Sequence, residues 1–340
     1  MQITPDFDPD RLAAVLGGPI RLAPVSSGQS NPTWFVTCGD REMVLRKKPR
    51  GATAASAHAI DREYRILSAL AGSGLPIPRM VMMEEDPEVI GTPFYLMERL
   101  DGTVSEDSAL PGLAPDDRRA IYRDAAAVLA RLHRVDWAGI GLADYGRPDG
   151  YYQRQVRRWS RQWDTTKTRD DALIDELAAW FAANLPPESP TTIVHGDYRI
   201  GNLMYGTAPA RIVGVLDWEL STLGDPLSDL AHWLMFHVFR PDQMGGLAGL
   251  DLAGRGLPSD TELLDHYHAA GGCTAALTPF HRAFALFRMS VILEGITARA
   301  LAGQAANHDA MAVGALAPDF ARLAAQVLET DKTPLSARID

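Results

Sequence analysis

The sequence predicts an α+β fold in which a small, sheet-rich lobe is followed by a larger, mainly helical lobe. Three observations carry this prediction. Apolar and polar residues alternate through much of residues 20–100, which is typical of strands. After residue 103, apolar residues recur instead at the spacings of amphipathic helices. A strand-like stretch at residues 191–217 then interrupts the helical part.

The first lobe, residues 1–100, begins with three predicted strands within residues 20–48, separated by a turn of small residues and a Gly-Asp turn. Residues 52–70 predict one helix, because their apolar residues lie three or four positions apart. The segments "RMVMME" and "PFYLMERL" predict two further strands. We therefore expect an antiparallel sheet with one helix, joined to the second lobe through residues 97–103.

The second lobe, residues 104–340, is predicted to be helical at 115–134, 150–165 and 170–184, and again after Asp225. Acidic residues in the first turn of the first of these helices suit the helix dipole. The strand-like stretch between the third helix and Asp225 therefore stands out, and it contains the polar residues considered next.

The composition limits the kinds of partner that we expect the protein to bind. The formal net charge is −10, which argues against nucleic acid as the main partner, because phosphate binding favours a basic face. The two cysteines, Cys38 and Cys273, lie in no metal-binding or disulfide pattern, and we interpret them as reduced thiols. The chain start lacks the pattern of a secretion signal, and the most apolar run is too short to cross a bilayer. We expect a cytoplasmic protein without membrane contact.

The stretch "VHGDYRIGNLMYGTAPARIVGVLDWE", residues 194–219, places polar side chains in apolar, strand-like sequence. Asp197 and Asn202 lie on a predicted loop before one short strand, and Asp217 follows the next. A hairpin brings its two ends together, so Asn202 and Asp217 can bind one cation while Asp197 faces a substrate hydroxyl. Their oxygens are ligands that Mg²⁺ prefers. The alternative is an acidic turn in an ordinary hairpin.

These residues resemble a known family. His195, Asp197 and Asn202 match the kinase catalytic-loop pattern H-x-D-x-x-x-x-N, and Asp217 follows in the place of the DFG acid. The wording "HGD…N…DWE" resembles the aminoglycoside phosphotransferase family, the small-molecule branch of the protein-kinase-like fold, over about residues 20–300. The resemblance implies a two-lobe fold with ATP and Mg²⁺ as cofactors. It implies Asp197 as the catalytic base, with Asn202 and Asp217 as the metal ligands.

The resemblance also implies residues that support the catalytic loop. His195 would brace the loop without shuttling protons. Asp229, in "GDPLSDLA", is similar to the family's acid that hydrogen-bonds the loop from a helix start. Simple helix capping is the alternative for Asp225 and Asp229, and it is the preferred interpretation of Asp225. Glu219 is either an outer acid of the metal site or a surface acid.

On the nucleotide side, the family's phosphate-covering turn corresponds to "SSGQSN", which includes Ser27 and Gly28. Small residues there let backbone N–H groups approach phosphate oxygens. The family's phosphate-contacting strand lysine falls in "MVLRKKP". Because strand side chains alternate, Arg46 shares a face with Val44, whose side chain would meet the adenine. Arg46 is therefore the expected phosphate contact, with Lys48 as the second choice.

Glu63 is the helix acid that the resemblance pairs with this cation, and a surface charge beside a neighbouring arginine is its alternative. The segment "FYLMERLDG" resembles the family's hinge strand. Met97 would lie behind the adenine. The carbonyl of Glu98 and the N–H of Leu100 would pair with the adenine edge.

Two features bear on the acceptor. The helix predicted over 150–165 gathers four arginines on one face, namely Arg154, Arg157, Arg158 and Arg161. A solvated basic face is the simplest interpretation. The alternative is a platform for an anionic acceptor, which would repel a polycationic aminoglycoside. Residues 280–296 are rich in Phe, Met, Ile and Leu; most of them would be core, and a part can line a pocket suited to an acyl chain.

The run "VLDWELSTLGDPLSDLA" most resembles the kinase-like domain that some larger proteins carry fused to acyl-CoA dehydrogenase, a subgroup associated with hydroxyacyl-CoA-type acceptors. We therefore expect an ATP- and Mg²⁺-dependent phosphotransferase that acts on a small-molecule hydroxyl. An aminoglycoside kinase, or a nucleotide-binding module without turnover, is the alternative. The acceptor, the choice between ATP and GTP and the oligomeric state stay open at this stage.

Overall fold

Five antiparallel strands form one sheet in the first part of the chain. A computed structural model describes residues 5–25, 31–49, 60–304 and 309–330. The strands are β1 (Ile20–Pro24), β2 (Thr33–Cys38), β3 (Arg41–Lys47), β4 (Met80–Glu84) and β5 (Phe94–Glu98). Their order in the sheet is β1-β2-β3-β5-β4, so β5 lies between the two strands that precede it in sequence. The predicted strands are all present.

A helix that the sequence analysis did not predict, α1 (Pro9–Leu16), packs beside β1. Phe7 and Leu12 join the apolar cluster that β2, β3 and β5 bury on one side of the sheet. The signals for this helix are present in the sequence. Asp8 accepts a hydrogen bond from the backbone N–H of Asp10 at 2.9 Å, and Gly17 ends the helix in the left-handed conformation.

The helix predicted over 52–70 is described from Ile60, as α2 (Ile60–Ala69), and residues 50–59 lie outside the described part of the chain. A single further turn, α3 (Pro87–Ile90), precedes β5. Helix α2 packs against β4 and β5, and it also contacts the turn Trp218–Leu220 of the second lobe. It therefore lies between the sheet and the hairpin that carries the candidate site.

The second lobe is built mainly from helices. They are α4 (Pro115–His133), α5 (Tyr151–Thr166), α6 (Ala172–Ala183), α7 (Leu227–Leu234), α8 (Leu252–Arg255), α9 (Asp260–Ala269), α10 (Pro279–Leu301), α11 (Ala310–Gly314) and α12 (Ala317–Glu329). The three helices predicted before residue 191 begin and end within two residues of their predicted bounds. The predicted α+β, two-lobe, protein-kinase-like fold is confirmed.

Helix α10 is the centre of the helical lobe, packing against α5, α7 and α12. Phe280, Phe284 and Phe287 recur along one of its sides, and all three meet the ring of Phe181 from α6 at centroid distances of 5.2–5.3 Å. Tyr152 from α5 joins this cluster through edge-on contacts. These contacts fix α5 against α10, and both helices border the cleft described below.

Among the described residues, one helical stretch, Ala310–Glu329, is long and apolar enough to cross a membrane by length and composition alone. Its longer part, α12, turns one face inward and packs along α10, where Phe320, Ala321 and Ala324 are fully buried. Packing against α10 accounts for the apolar residues on that face.

Four short strands lie within the stretch 194–219 or directly beside it. They are β6 (Thr192–Val194), β7 (Leu203–Thr207), β8 (Ala210–Val215) and β9 (Thr222–Gly224). Strands β7 and β8 form an antiparallel hairpin, and β6 pairs with β9. Thr103 exchanges two backbone hydrogen bonds with Tyr205, at 2.8 and 2.9 Å. The segment that leaves the sheet is therefore bonded directly to the hairpin.

Glycine permits a close approach at this junction. A Cβ atom on Gly214 would lie 2.7 Å from Cδ1 of Leu100 and 3.2 Å from Cβ of Met204. The absence of a side chain at this position of β8 therefore lets Leu100 lie directly on the hairpin.

We expect Gly214→Ala to lower the free energy of unfolding by about 1 kcal/mol, because the end of the Leu100 side chain must turn away from the new methyl group and Cβ of Met204 lies close to it. Gly206→Ala is the matched control in the same hairpin, since its Cβ would meet Cγ1 of Val213 at 3.4 Å, an ordinary contact. That variant should change stability by less than about 0.5 kcal/mol. Urea unfolding measures both, and equal losses would contradict the prediction.

Candidate active site

Asp197 and Asn202 are directly bonded on the loop between β6 and β7. Asn202 ends a single 3-10 turn, and its side-chain nitrogen donates to the backbone carbonyl of Asp197 at 2.8 Å and to Oδ2 of Asp197 at 2.7 Å. Because both amide hydrogens are used in this way, the side-chain oxygen of Asn202 is the atom left to bind another group.

Asp229, near the start of α7, fixes the loop between β6 and β7 through hydrogen bonds. Its carboxylate is completely buried and accepts the backbone N–H groups of His195 at 2.7 Å and Gly196 at 2.8 Å. His133 of α4 lies 3.3 Å from the same carboxylate. Burial alone would raise the pKa of Asp229, but the contacts with His133 and the backbone N–H of His195 lower it, so the group stays ionised.

His195 ties the loop to the hairpin. Its Nε2 lies 2.8 Å from the carbonyl oxygen of Leu216, and because a carbonyl only accepts, Nε2 carries the proton. The N–H of Leu216 donates in turn to the carbonyl of Asn202 at 2.9 Å. Gly196 has φ +84°, and a Cβ there would lie 2.7 Å from the carbonyl of Leu220, so only glycine fits.

Asp217 follows Leu216 directly and is held in an uncommon backbone conformation, with φ +62°. Its Oδ1 is buried, and within the described residues it has no hydrogen-bond partner. Close by, Nη1 of Arg46 forms an ion pair with Oε1 of Glu63 at 3.0 Å. Burial raises the pKa of Glu63 in spite of this arginine, and the charge of Asp217 adds to the rise. On this side of the site, the two carboxyl groups of Glu63 and Asp217 therefore face a single cation, Arg46.

The residues present fit a hard divalent cation bound together with phosphate. No group of three or more His, Cys, Asp or Glu side chains in the described ranges is arranged to hold a metal by itself. Mg²⁺, however, usually takes only one or two protein oxygens and fills its other positions with phosphate and water. The free side-chain oxygen of Asn202 and the unpartnered Oδ1 of Asp217 supply such a pair.

His232 is a site residue that the sequence analysis missed. It lies on α7, its Nε2 is 2.6 Å from Oδ1 of Asp197, and its ring is almost completely buried. Burial lowers the pKa of His232, so we infer a neutral ring whose Nε2–H donates to the carboxylate. Burial by itself would raise the pKa of Asp197. The hydrogen bond from His232 and the charges of Arg199 and Arg288 instead hold it well below its usual range.

The three consecutive cations where β3 ends, Arg46, Lys47 and Lys48, have different partners. Arg46 lies on the face of the sheet that meets Glu63. Lys47 points to the other face, where its fully buried ammonium group bonds Asp6 at 2.8 Å. Lys48 lies 3.6 Å from Asp61, in a pair that is largely exposed. Of the two cations that the sequence offered for phosphate, Arg46 is the one paired with the helix acid.

The hinge residues lie where β5 approaches the hairpin. Met97 is half-buried and pairs in register with Val44 and Met80, while Leu100 packs on Gly214. The backbone N–H of Glu98 donates to the carbonyl of Arg79 at 2.9 Å, so the hinge strand is also fixed to the segment before β4. Ser27 and Gly28 lie outside the described residues.

The structure separates the four arginines of α5. A cleft of about 890 Å³ beside the catalytic loop is lined on this helix by Tyr151, Gln155, Arg158 and Trp159. Arg158 is thus on the cleft, whereas Arg154 donates to the carbonyl of Arg147, and Arg157 and Arg161 are exposed away from it. The physical reason is the rotation of α5, which buries Tyr152, Val156 and Trp163 and leaves only the edge of the basic face at the cleft. Arg288 of α10, which the sequence analysis did not single out, lines the same cleft.

The model of the phosphotransferase enzyme family matches residues 21–264. The chain belongs to this family. Two curated relatives are 40% identical to this phosphotransferase: acyl-CoA dehydrogenase family member 10 of Mus musculus, over 90% of the chain, and family member 11 of Gallus gallus, over 85%. The predicted resemblance is confirmed. The matched parts make up only 29% and 38% of those proteins.

Solved structures agree with this assignment. A Ralstonia eutropha protein provisionally assigned as an aminoglycoside phosphotransferase is 38% identical, with a TM-score of 0.87 over 95% of this phosphotransferase and 99% of that chain. An aminoglycoside phosphotransferase variant in ternary complex with AMP-PNP and hygromycin B is 19% identical, with a TM-score of 0.61 over 93% and 97% of the two chains. At that identity, the second comparison supports the fold alone.

We expect Asp229→Ala to lower the free energy of unfolding of the phosphotransferase by about 3–5 kcal/mol, because it leaves two buried N–H groups and a buried histidine without their acceptor. Asp171→Ala is the control, since it removes only the cap that accepts the N–H of Leu173 at the start of α6. That change should cost about 1 kcal/mol. Urea unfolding compares the two, and losses of the same size would show that the Asp229 contacts are ordinary.

His232→Leu should raise the pKa of Asp197 towards its usual range, because the carboxylate loses a charge-assisted hydrogen bond. Asp197 stays ionised near neutral pH in this variant, so the measurable effect is on its orientation: kcat of phosphoryl transfer should fall by about tenfold while the KM for ATP stays the same. His232→Gln, which keeps an N–H donor, should restore most of kcat. An unchanged kcat in the leucine variant would exclude this role.

Proposed function

We propose that this phosphotransferase transfers the γ-phosphoryl group of ATP to a hydroxyl of a small molecule and depends on Mg²⁺. One observation carries the proposal. The loop that carries the bonded pair Asp197–Asn202 borders an open cleft at Gly196, and Asp217 directly follows Leu216, whose N–H donates to the backbone of Asn202. The three oxygen-bearing side chains that the reaction requires are thus carried by a loop and a hairpin whose backbones are bonded to each other.

Asp197 is the proposed catalytic base, with the orientation of the hydroxyl as its main task. A carboxylate whose pKa is held low is a weak base, so it removes the proton only when the hydroxyl oxygen has begun to bond to phosphorus. A loose phosphoryl-transfer transition state suits such a base, because most of the barrier is lowered by positioning and charge neutralisation. The bonds from His232 and Asn202 fix both oxygens of the Asp197 carboxylate for this purpose.

Asn202 and Asp217 are the proposed metal ligands, and Arg46 is the proposed contact to the nucleotide phosphates. Bound Mg²⁺ would neutralise charge on the β- and γ-phosphates. Glu63 fixes the guanidinium of Arg46 through its 3.0 Å ion pair and leaves the other donors of Arg46 for phosphate. A guanidinium can bind carboxylate and phosphate through separate N–H groups, so arginine is a chemically reasonable replacement for lysine here.

The adenine site that we propose lies at the hinge, with Met97 behind the ring and the backbone of Glu98 and Leu100 at its edge. The turn with Ser27 and Gly28 would cover the phosphates. The lobe boundary falls within residues 97–103 in this proposal, separating a nucleotide-binding lobe, 1–100, from a catalytic and acceptor-binding lobe, 104–340. We also propose a cytoplasmic location, since Cys38 and Cys273 are free thiols.

The acceptor class that we favour is a hydroxyacyl-CoA-type molecule. Its support is the 40% identity to proteins named as acyl-CoA dehydrogenase family members, whose names point to acyl-CoA chemistry. Arg158 at the cleft gives independent support, because it would repel a polycation and attract an anion.

Asp197→Asn should lower kcat by about 10²–10⁴-fold while nucleotide affinity stays the same, because it removes the base and keeps the shape. Asp217→Ala should instead weaken the binding of Mg²⁺ and ATP together. The measurement is formation of a product heavier by one phosphoryl group from Mg-ATP and a panel of hydroxyacyl-CoAs, amino alcohols and aminoglycosides.

Asp242→Asn is the control, since Asp242 is exposed and pairs only with Arg240 at the surface. That variant should behave as the unchanged protein does. If only aminoglycosides yield product, the acceptor is an aminoglycoside and the proposed acceptor class is wrong. If nucleotide binds and no acceptor yields product, the protein is a nucleotide-binding module without turnover.

A further inference from the structure

Two arginines from different helices lie within cation–π distance of one tryptophan at the cleft. The guanidinium carbon of Arg158, on α5, lies 5.1 Å from the ring centroid of Trp159, and that of Arg288, on α10, lies 5.5 Å from the same ring. Both distances are within the range of cation–π contacts. The tryptophan thus holds two like charges on one wall of the cleft, although those charges repel each other.

No carboxylate lies within ion-pairing distance of Arg158 or Arg288 in the ranges that the structure describes. The carboxylates elsewhere on the cleft lie on other elements: Asp61 pairs with Lys48, Glu85 follows β4, and Glu219 follows the hairpin. Burial and the charge of Arg288 lower the pKa of Arg158, and the weak opposing effect comes from Tyr151. The charge of Arg288 helps to lower the pKa of Asp197, so that carboxylate balances Arg288 in part, whereas Arg158 has no carboxylate partner among the described residues.

Arg288 also links this charge to the reacting centre. It donates a hydrogen bond from Nη2 to the carbonyl of Gly196, the residue before Asp197, and its Nε is buried without a partner among the described residues. A guanidinium offers five N–H donors, so several of them remain for a ligand. An anion bound here would lie beside the loop that carries Asp197.

We propose that Arg158, Arg288 and Trp159 form an anion subsite for the phosphoryl acceptor. The acceptor is then a hydroxyl compound that carries a carboxylate or a phosphate near its reacting end, and Trp159 holds the two guanidinium groups that bind this anion. The inference rests on the proposed function and narrows it. It differs from a general basic face of α5, because Arg157 and Arg161 take no part and the second cation comes from α10.

The test measures binding of four probes to the full chain by calorimetry. A short 3-hydroxycarboxylate is compared with its methyl ester, and a 3-hydroxyalkyl phosphate is compared with the parent diol. The first pair removes only the charge of the carboxylate, and the second removes only the phosphate. We expect the anionic member of at least one pair to bind about tenfold or more tightly than its neutral partner, and the responding pair names the source of the anion.

Arg158→Gln should remove this tenfold preference and leave the affinity for Mg-ATP unchanged. Arg157→Gln is the matched control, since it deletes the same charge from the neighbouring, exposed position off the cleft. Equal losses in the two variants would reduce the effect to general electrostatics and overturn the subsite. Three other results would also overturn the subsite. They are equal binding of the anionic and neutral probes, no measurable binding of either anionic probe, and a loss of affinity for ATP in place of a loss of affinity for the acceptor.

Phosphoryl transfer, followed by mass in the same samples, separates this inference from the proposed function. Anion binding that depends on Arg158 without any phosphorylated product would leave the subsite standing and remove the kinase. Phosphorylation of a neutral or cationic acceptor with unchanged KM in Arg158→Gln would leave the kinase standing and remove the subsite.

Discussion

The geometry of the site depends on one buried carboxylate. Asp229 accepts the N–H groups of two consecutive residues, His195 and Gly196, and so fixes the peptide that leads into Asp197. His195 then bonds Leu216, and Leu216 bonds Asn202, so the loop and the far end of the hairpin are set by the same anchor. A buried charge is costly unless it is fully hydrogen-bonded. Here the hydrogen bonds to Asp229 offset that cost. The same bonds fix groups that lie many residues apart in sequence.

The residues that the sequence could predict are those whose contacts are local. Asp197 and Asn202 are five positions apart on one loop, and the hairpin that carries Asp217 follows from two short strands and a turn. His232 and Arg288 were missed for the opposite reason. His232 reaches Asp197 across 35 positions, and Arg288 reaches Gly196 across 92, so only the packing of α7 and α10 brings them to the loop. A histidine or arginine in an apolar helix carries no such signal by itself.

Strand β3 shows what the alternation of side chains along a strand can predict and what it cannot. It separated Arg46 from Lys47 correctly, because adjacent side chains on a strand face opposite sides of the sheet. It could not show that Lys47 would be completely buried, since that depends on Asp6, which lies next to the unpredicted helix α1. A complete burial of lysine is rare without a partner, and here the partner comes from the other end of the lobe.

Charge is divided across the reacting centre. On one side, Asp217 and Glu63 surround Arg46 and favour a cation; on the other, Arg288 lies near Asp197 and contributes to its lowered pKa. An anion bound at Arg288 would offset that contribution alone, because the hydrogen bond from His232 lowers the pKa of Asp197 more strongly than the charge of Arg288 does. The carboxylate of Asp197 would therefore stay ionised with an anion in place. For the proposed reaction, this favours a role in which Asp197 orients the hydroxyl over one in which it removes the proton before phosphoryl transfer.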